Sequence, residues 1–139
     1  MHKLFLDTNV VIDLLGEREP FFEDIAEIAT IADNQNLKMA ASSLTFVNTH
    51  YVLEKSYGLP GITDLLTRFR ILCEVTDVNE TIIDKSLHSG FNDFEDAVQY
   101  FSAIQHKCDV FITRNKKDFK NSEIPIMTPS EFLASINKR

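Results

Sequence analysis

Glycine is scarce in this chain, four residues in 139. No glycine-rich loop exists to wrap backbone N–H groups around a phosphate, which excludes P-loop and dinucleotide-binding chemistry. The four prolines, Pro20, Pro60, Pro125 and Pro129, each stand where one apolar pattern stops and another begins, as a residue without an N–H should. No repeat, low-complexity tract or Pro/Gly-rich linker divides the chain, so residues 1–139 read as one domain with one core. The two cysteines, Cys73 and Cys108, sit among apolar residues without CxxC or metal-ligand spacing, the pattern of buried, reduced thiols. No apolar run approaches the ~20 residues needed to cross a bilayer. The apolar stretch before Asp7 is too short for a signal peptide, so the expected location is the cytoplasm.

Positive charge is also in short supply. Lys and Arg number 14 against 21 Asp and Glu, a formal net charge of −7. This argues against a protein that holds nucleic acid by a broad basic surface, but not against a nuclease whose active site is itself made of carboxylates. Four of the basic residues, Arg114, Lys116, Lys117 and Lys120, fall close together. Such a run is more often a solvated face than a phosphate contact, unless its position places it beside a site.

The apolar periodicity alternates short strands with helices. Leu4 to Leu6 reads as a buried strand, followed by a helical pattern at Val10, Val11, Leu14 and Leu15 that Gly16 stops. Phe21 to Asn34 is an amphipathic helix, Lys38 to Ala41 a second strand, and Ser42 or Ser43 caps a helix to about Tyr57. Pro60 opens a helix to about Arg70, Leu72 to Val75 is a strand, and Asn79 caps a helix carrying Ile82, Ile83 and Leu87. Asp93 begins a helix with Ala97, Val98, Phe101 and Ile104 inward. Val110 to Ile112 is a strand, Ile124 to Met127 an edge strand, and Pro129 starts a terminal helix. Strands alternating with helices imply an α/β fold, a parallel sheet covered on both faces. Right-handed crossovers make it a three-layer α/β/α sandwich, in which ligands bind outside the carboxyl ends of the strands.

That rule decides which polar residues can meet. Asp7 follows the first strand directly. Asn48 lies about a turn into the helix after the second. Asp93 and Asp96 share the first turn of their helix, and Asn115 and Asp118 follow the fourth strand. Four segments remote in sequence thus deliver acids or amides to one rim. Two carboxylates about 4 Å apart repel by roughly 4 kcal/mol at an effective dielectric near 20. A cluster of them persists only if a cation or raised pKa values relieve the repulsion. Oxygen ligands without a His or Cys set point to Mg²⁺ or Mn²⁺, ions that activate water and stabilise charge on a phosphodiester. Each residue also has a plainer role: Asp7 and Asp93 as helix caps, Asn115 and Asp118 as turn formers. Only their convergence favours the functional role. His2, His50, His88 and His106 have no nucleophile or metal-ligand pattern around them.

The segments Phe5-Leu6-Asp7-Thr8-Asn9-Val10, Asp93-Phe94-Glu95-Asp96-Ala97 and Thr113-Arg114-Asn115-Lys116-Lys117-Asp118-Phe119, in this order and spacing, resemble the PIN domain, many of whose bacterial members are VapC-type toxins of toxin–antitoxin pairs. The resemblance runs from residue 3 to about residue 135. It implies a five-stranded parallel sheet and a Mg²⁺- or Mn²⁺-dependent endoribonuclease, commonly homodimeric and often inhibited by a small antitoxin. Asp7 matches the family's first acid and Asp96 its third. Two positions depart: Asn48 stands where the commonest pattern has Glu, and Asn115 where many members have Asp. Asp118, three residues on, is then expected to supply the charge that Asn115 lacks, the two sharing a face if the chain turns helically after Ile112. The expected ligands are Asp7, Asp96 and Asp118, with Asp93, Asn48 and Asn115 completing a weaker second site or orienting water. The alternative is a PIN-like domain that has lost cleavage and keeps RNA or protein binding, which Asn48 and Asn115 favour and the four aspartates oppose. A phosphatase using Asp7 as nucleophile is weaker still, because its usual acid/base position is Asn9.

Overall fold

The computed structural model describes residues 2–34 and 37–137. Five parallel strands, β1 (Lys3–Leu6), β2 (Lys38–Ser42), β3 (Cys73–Thr76), β4 (Val110–Ile112) and β5 (Ile126–Met127), lie in the order β3-β2-β1-β4-β5. Leu4 of the central β1 pairs with Met39 on one side and Val110 on the other, and Phe5 with Ala40 and Phe111. Helices α1 (Thr8–Leu15), α2 (Phe22–Asp33), α3 (Ser43–Lys55), α4 (Ile62–Leu72), α5 (Glu80–Leu87), α6 (Phe94–Gln105) and α7 (Pro129–Asn137) connect and cover them.

The side-chain period of two sorts the strand residues onto two faces. Leu4, Leu6, Met39, Ala41, Val110 and Ile112 enter one core with residues of α1, α2, α4 and α7, among them Val10, Ile25, Phe69 and Phe132. Phe5, Ala40 and Phe111 point the other way, into a second core with Tyr100 and Ala103 of α6 and with Cys108 and Phe119. A slip of one residue in β1 would exchange the two cores, so register is strongly specified. The result is the expected three-layer α/β/α sandwich. Cys73 and Cys108 are free and buried, and burial pushes both thiols up, Cys108 to about 12. Among the described residues no helix is long and apolar enough to cross a membrane.

Two boundaries differ from expectation for local reasons. Pro60 does not open α4. Gly61 is its cap, in a left-handed conformation at φ 70°, and helical geometry starts only beyond that residue. The last strand is Ile126–Met127 rather than Ile124 to Met127. Ile124 spends its N–H and carbonyl on the Ser122 hydroxyl, and Pro125 has no N–H to offer. Only the Pro125 carbonyl joins the ladder, accepting from Phe111 N at 2.9 Å.

A buried acid fastens α1 to the loop after β4. Asp13 is 2% exposed. Its Oδ1 accepts from Arg18 Nε at 2.8 Å and its Oδ2 from Arg114 Nε at 2.7 Å. Arg114 also lies over the Phe21 ring, 4.0 Å from its centroid, a cation–π arrangement. Removing one partner of a buried ion pair costs about 3–5 kcal/mol when the other charge stays buried; here both arginines retain access to water. Asp13→Ala is therefore expected to lower the unfolding free energy by about 2 kcal/mol in urea titration. A loss below about 0.5 kcal/mol, the scale of a surface substitution, would show that the clamp does not hold the loop.

Candidate active site

Asp7 stands where the central strand ends. Its backbone N–H donates to the Ile112 carbonyl at 2.9 Å, extending the β1–β4 ladder by one bond. Its extended backbone (φ −67°, ψ 158°) then makes it the cap of α1. One carboxylate oxygen accepts from Thr8 N at 2.9 Å and the other from Thr113 Oγ1 at 2.8 Å. The residue is 5% exposed. Burial raises its pKa above the ordinary carboxylate range; the bonds from Thr113, Thr8 and Gln99 oppose that shift, and the charge of Asp118 adds to it. The capping role and the place on the rim are thus both real.

Helix α6 brings the next acids. Asp93 is exposed and caps the helix, its Oδ1 accepting from Asp96 N at 3.0 Å. One of its oxygens is thereby committed to the helix. Asp96, a turn further in, has its pKa pushed up to about 7, by burial first and then by the charges of Asp7, Asp93, Asp118 and Glu95. Glu95 is raised as well, by burial and by Asp7 and Asp93. In the sequence Glu95 carries no signal beyond that of a solvated first-turn acid. Asn48 reaches it from α3, its Nδ2 donating to Glu95 Oε2 at 3.3 Å, so Asn48 joins the rim through a neighbouring acid.

Gln99 was also missed, because a glutamine in an apolar helix carries no motif. It is fully buried. Its Nε2 lies 2.6 Å from Thr45 Oγ1, 2.9 Å from Thr8 Oγ1 and 3.4 Å from Asp7 Oδ1, while its Oε1 accepts from the Ser42 hydroxyl. One side chain thus ties α6, α1, α3 and the end of β2 together beneath Asp7. The available signal was a polar residue on the inward side of α6, between Val98 and Tyr100, which has to find partners when buried.

The segment after β4 departs from expectation. Asn115 is not helical (φ −113°, ψ 63°); the chain turns only at a single 3₁₀ turn, Lys116–Asp118. Asn115 lines a hollow with Asp13, Phe21 and Thr128, whereas Asp118 lines a cavity of about 670 Å³ with Asp93 and Asp96. The basic run divides in the same way. Arg114 is bound to Asp13, and Lys116 donates to Glu131 Oε2 at 2.8 Å; Lys117 and Lys120 line the cavity of the acids.

All the donors at this rim are oxygens, as a hard divalent cation requires. Burial first, and then the acids' charge on one another, raises these carboxylate pKa values; a cation would relieve the second effect. Among the described residues no three Asp, Glu, His or Cys side chains form a ready ligand set.

The pKa of Asp96 has a consequence for stability. Its folded value, about 7, exceeds the ordinary 3.8. The native state therefore holds the proton more tightly, and the associated stability is complete below pH 3.8 and is lost as pH rises through 7. Asparagine mimics the protonated acid. In EDTA, wild type and Asp96→Asn should melt together near pH 4, and the variant should melt higher at pH 8. Mn²⁺ at pH 8 should raise the wild-type melting temperature, by about 2.7 kcal/mol of native-state binding at a hundredfold excess over its dissociation constant, and the variant's far less. Equal Mn²⁺ shifts in both proteins would refute a shared carboxylate site.

Comparison with known proteins agrees with this geometry. The chain matches the PIN domain over residues 3–117. It is 26% identical to ribonuclease VapC1 of Aquifex aeolicus over 97% of this chain and 96% of that protein. Its fold is similar to a chain of DNA-bound VapBC from Salmonella typhimurium (TM-score 0.69, 23% identity, 93% of this chain and 99% of that one). It is likewise similar to a chain of a toxin–antitoxin complex from Klebsiella pneumoniae (TM-score 0.67, 21% identity, 91% and 97%). The match over most of the chain, joined to acids at the carboxyl edge of a 3-2-1-4-5 parallel sheet, makes this protein a member of the PIN-domain family.

Proposed function

We propose that this protein is a metal-dependent endoribonuclease that hydrolyses RNA phosphodiester bonds, taking Mg²⁺ or Mn²⁺ on Asp7, Asp96 and Asp118. One observation carries the reading: Asp96 and Asp118, from segments remote in sequence, line one cavity at the carboxyl edge of the sheet, where burial first and then neighbouring carboxylate charge raise the pKa of Asp96 and of Asp7. When bound, the ion supplies an activated water and stabilisation of charge on the phosphodiester. The protein's own residues do the rest. Thr113, Thr8 and Gln99 fix the Asp7 carboxylate in one orientation, which pre-organises a ligand at little cost on binding. Burial and neighbouring negative charge push the Asp96 pKa up to about 7, and a bound cation would lower it. Asn48 orients Glu95 at the rim, and Asp93 holds the start of α6 and adds negative charge to the site.

The VapC1 relative supports RNA as the substrate. The VapBC and toxin–antitoxin complexes among the similar structures support a role as the toxin of such a pair, with a small antitoxin protein as partner. A homodimer in the cytoplasm completes the proposal. The alternative, a catalytically weak PIN-like binding module, draws on the amides Asn48 and Asn115 and on the lack of a ready three-ligand set among the described residues.

The deciding experiment is cleavage of a panel of RNAs in Mn²⁺. Asp7→Asn and Asp118→Asn should each lose about a hundredfold or more in rate. Asn115→Ala should stay within about threefold, and Asn115→Asp should not rescue Asp118→Asn, because the two side chains line different hollows. Equal cleavage by wild type and Asp7→Asn would refute the nuclease, and folded, metal-binding protein that cuts nothing would leave the binding module.

A further inference from the structure

We propose that the cavity beside the acids is a subsite for one unpaired nucleotide of a single-stranded RNA, the base lying on Phe91 and a backbone phosphate facing Lys117 and Lys120. The inference rests on the ribonuclease reading and adds the residues that would hold the substrate beside the acids. The cavity, about 670 Å³, is continuous with the proposed metal ligands, since Asp96 and Asp118 lie in its wall. That volume falls in the range of small-ligand pockets; it suits a nucleotide rather than a duplex.

The lining matches the parts of a nucleotide. Phe91, from the loop between α5 and α6, is half-buried and packs against three other rings, those of Tyr100, Phe101 and Phe119, at centroid distances of 5.6, 6.1 and 6.1 Å. It is therefore a fixed aromatic platform rather than a mobile side chain. To the same cavity the loop after β4 contributes Lys117 and Lys120. Among the described residues neither belongs to an ion pair, whereas Arg114 and Lys116 of the same run are both engaged. Two uncommitted cations beside a carboxylate rim, in a chain of net charge −7, suit a phosphate next to the one held at the metal. Asn92 and Asn121 line the same cavity and can donate to or accept from a base edge. Single-stranded bases offer open faces for stacking, whereas an A-form duplex covers them and presents 2′-hydroxyls and phosphates. The aromatic platform would be unused by a duplex.

The test is fluorescence anisotropy with a labelled mixed-sequence RNA decamer and with its duplex, in EDTA, on the full chain carrying Asp7→Asn so that nothing is cut. The single strand should bind about tenfold tighter than the duplex. Phe91→Leu should weaken the single strand about tenfold and leave the duplex unchanged, and Phe91→Tyr should restore binding. Lys117→Gln with Lys120→Gln should flatten the slope of log affinity against log salt by about 1.4 for the single strand, and Lys116→Gln should not. The lysine pair lies on the surface, so it keeps the test valid if Phe91→Leu fails to fold. Equal binding of single strand and duplex, a folded Phe91→Leu protein of unchanged affinity, or an unchanged salt slope would each overturn the subsite. If wild type nevertheless cleaves RNA in Mn²⁺, the ribonuclease reading survives that failure; if it neither binds nor cleaves any RNA, both fall.

Discussion

The structure turns on a carboxylate buried where it is expensive to bury one. Asp7 sits at the end of the central strand, almost without contact with water. Taking an ionised group out of water costs several kcal/mol unless donors replace the hydration it loses. The replacements are Thr113 from the end of β4, the N–H of Thr8 at the start of α1 and Gln99 from α6. Gln99 reaches on to Thr45 and Ser42. The placement of β4 beside β1, and of α6 across the sheet, is thus written into the needs of one side chain. The reversal of strand order around β1 opens a crevice at that same point.

A second buried acid shows what a purely structural solution looks like. Asp13 is as buried as Asp7, but two guanidinium groups neutralise it. Asp7 receives only neutral donors and is surrounded by more negative charge, from Asp118, Asp96 and Glu95. Within one short helix and its cap, the fold satisfies one acid completely and leaves the other short of positive charge. Arg114 makes the contrast sharper. It follows Thr113 directly, close enough in sequence to have served the rim, yet it turns to Asp13 and Phe21. That deficit of positive charge at Asp7 is the physical basis for reading the rim as a cation site.

The parts of this arrangement legible in the sequence were those governed by backbone rules. Short apolar strands such as Leu4-Phe5-Leu6, period-3.6 helices such as α6, and the rule of carboxyl-edge sites sufficed to bring Asp7, Asp96 and Asp118 into one neighbourhood. What escaped was set by side-chain contacts across the fold. The chain after β4 turns only from Lys116, with Asn115 as its cap, and Asn115 and Asp118 line different hollows. Glu95 carries no local signal at all, and the polar Gln99 between Val98 and Tyr100 signals a need for partners without saying which ones the fold supplies. The basic run likewise read as one unit, although its members divide among Asp13, Glu131 and the cavity. Partner choice depends on which loops lie opposite, and that is known only once the sheet is assembled.

The charge distribution also constrains how an acidic protein engages a polyanion. Non-specific affinity for nucleic acid grows with the number of phosphates neutralised by Lys and Arg, and here half of the basic run is already paired with Asp13 and Glu131. On the proposed reading, positive charge at the scissile position comes from the bound ion, supplemented at the next position by Lys117 and Lys120. Such a protein binds most RNA weakly, and its selectivity has to reside in local contacts around the cavity rather than in a broad electrostatic surface. A weak footprint has a second effect: small changes in those few contacts shift substrate choice far more than they shift total affinity. The wall formed by Phe91, Asn92 and Asn121 is therefore where the determinants of substrate preference are expected, at a distance from the acids that perform the chemistry.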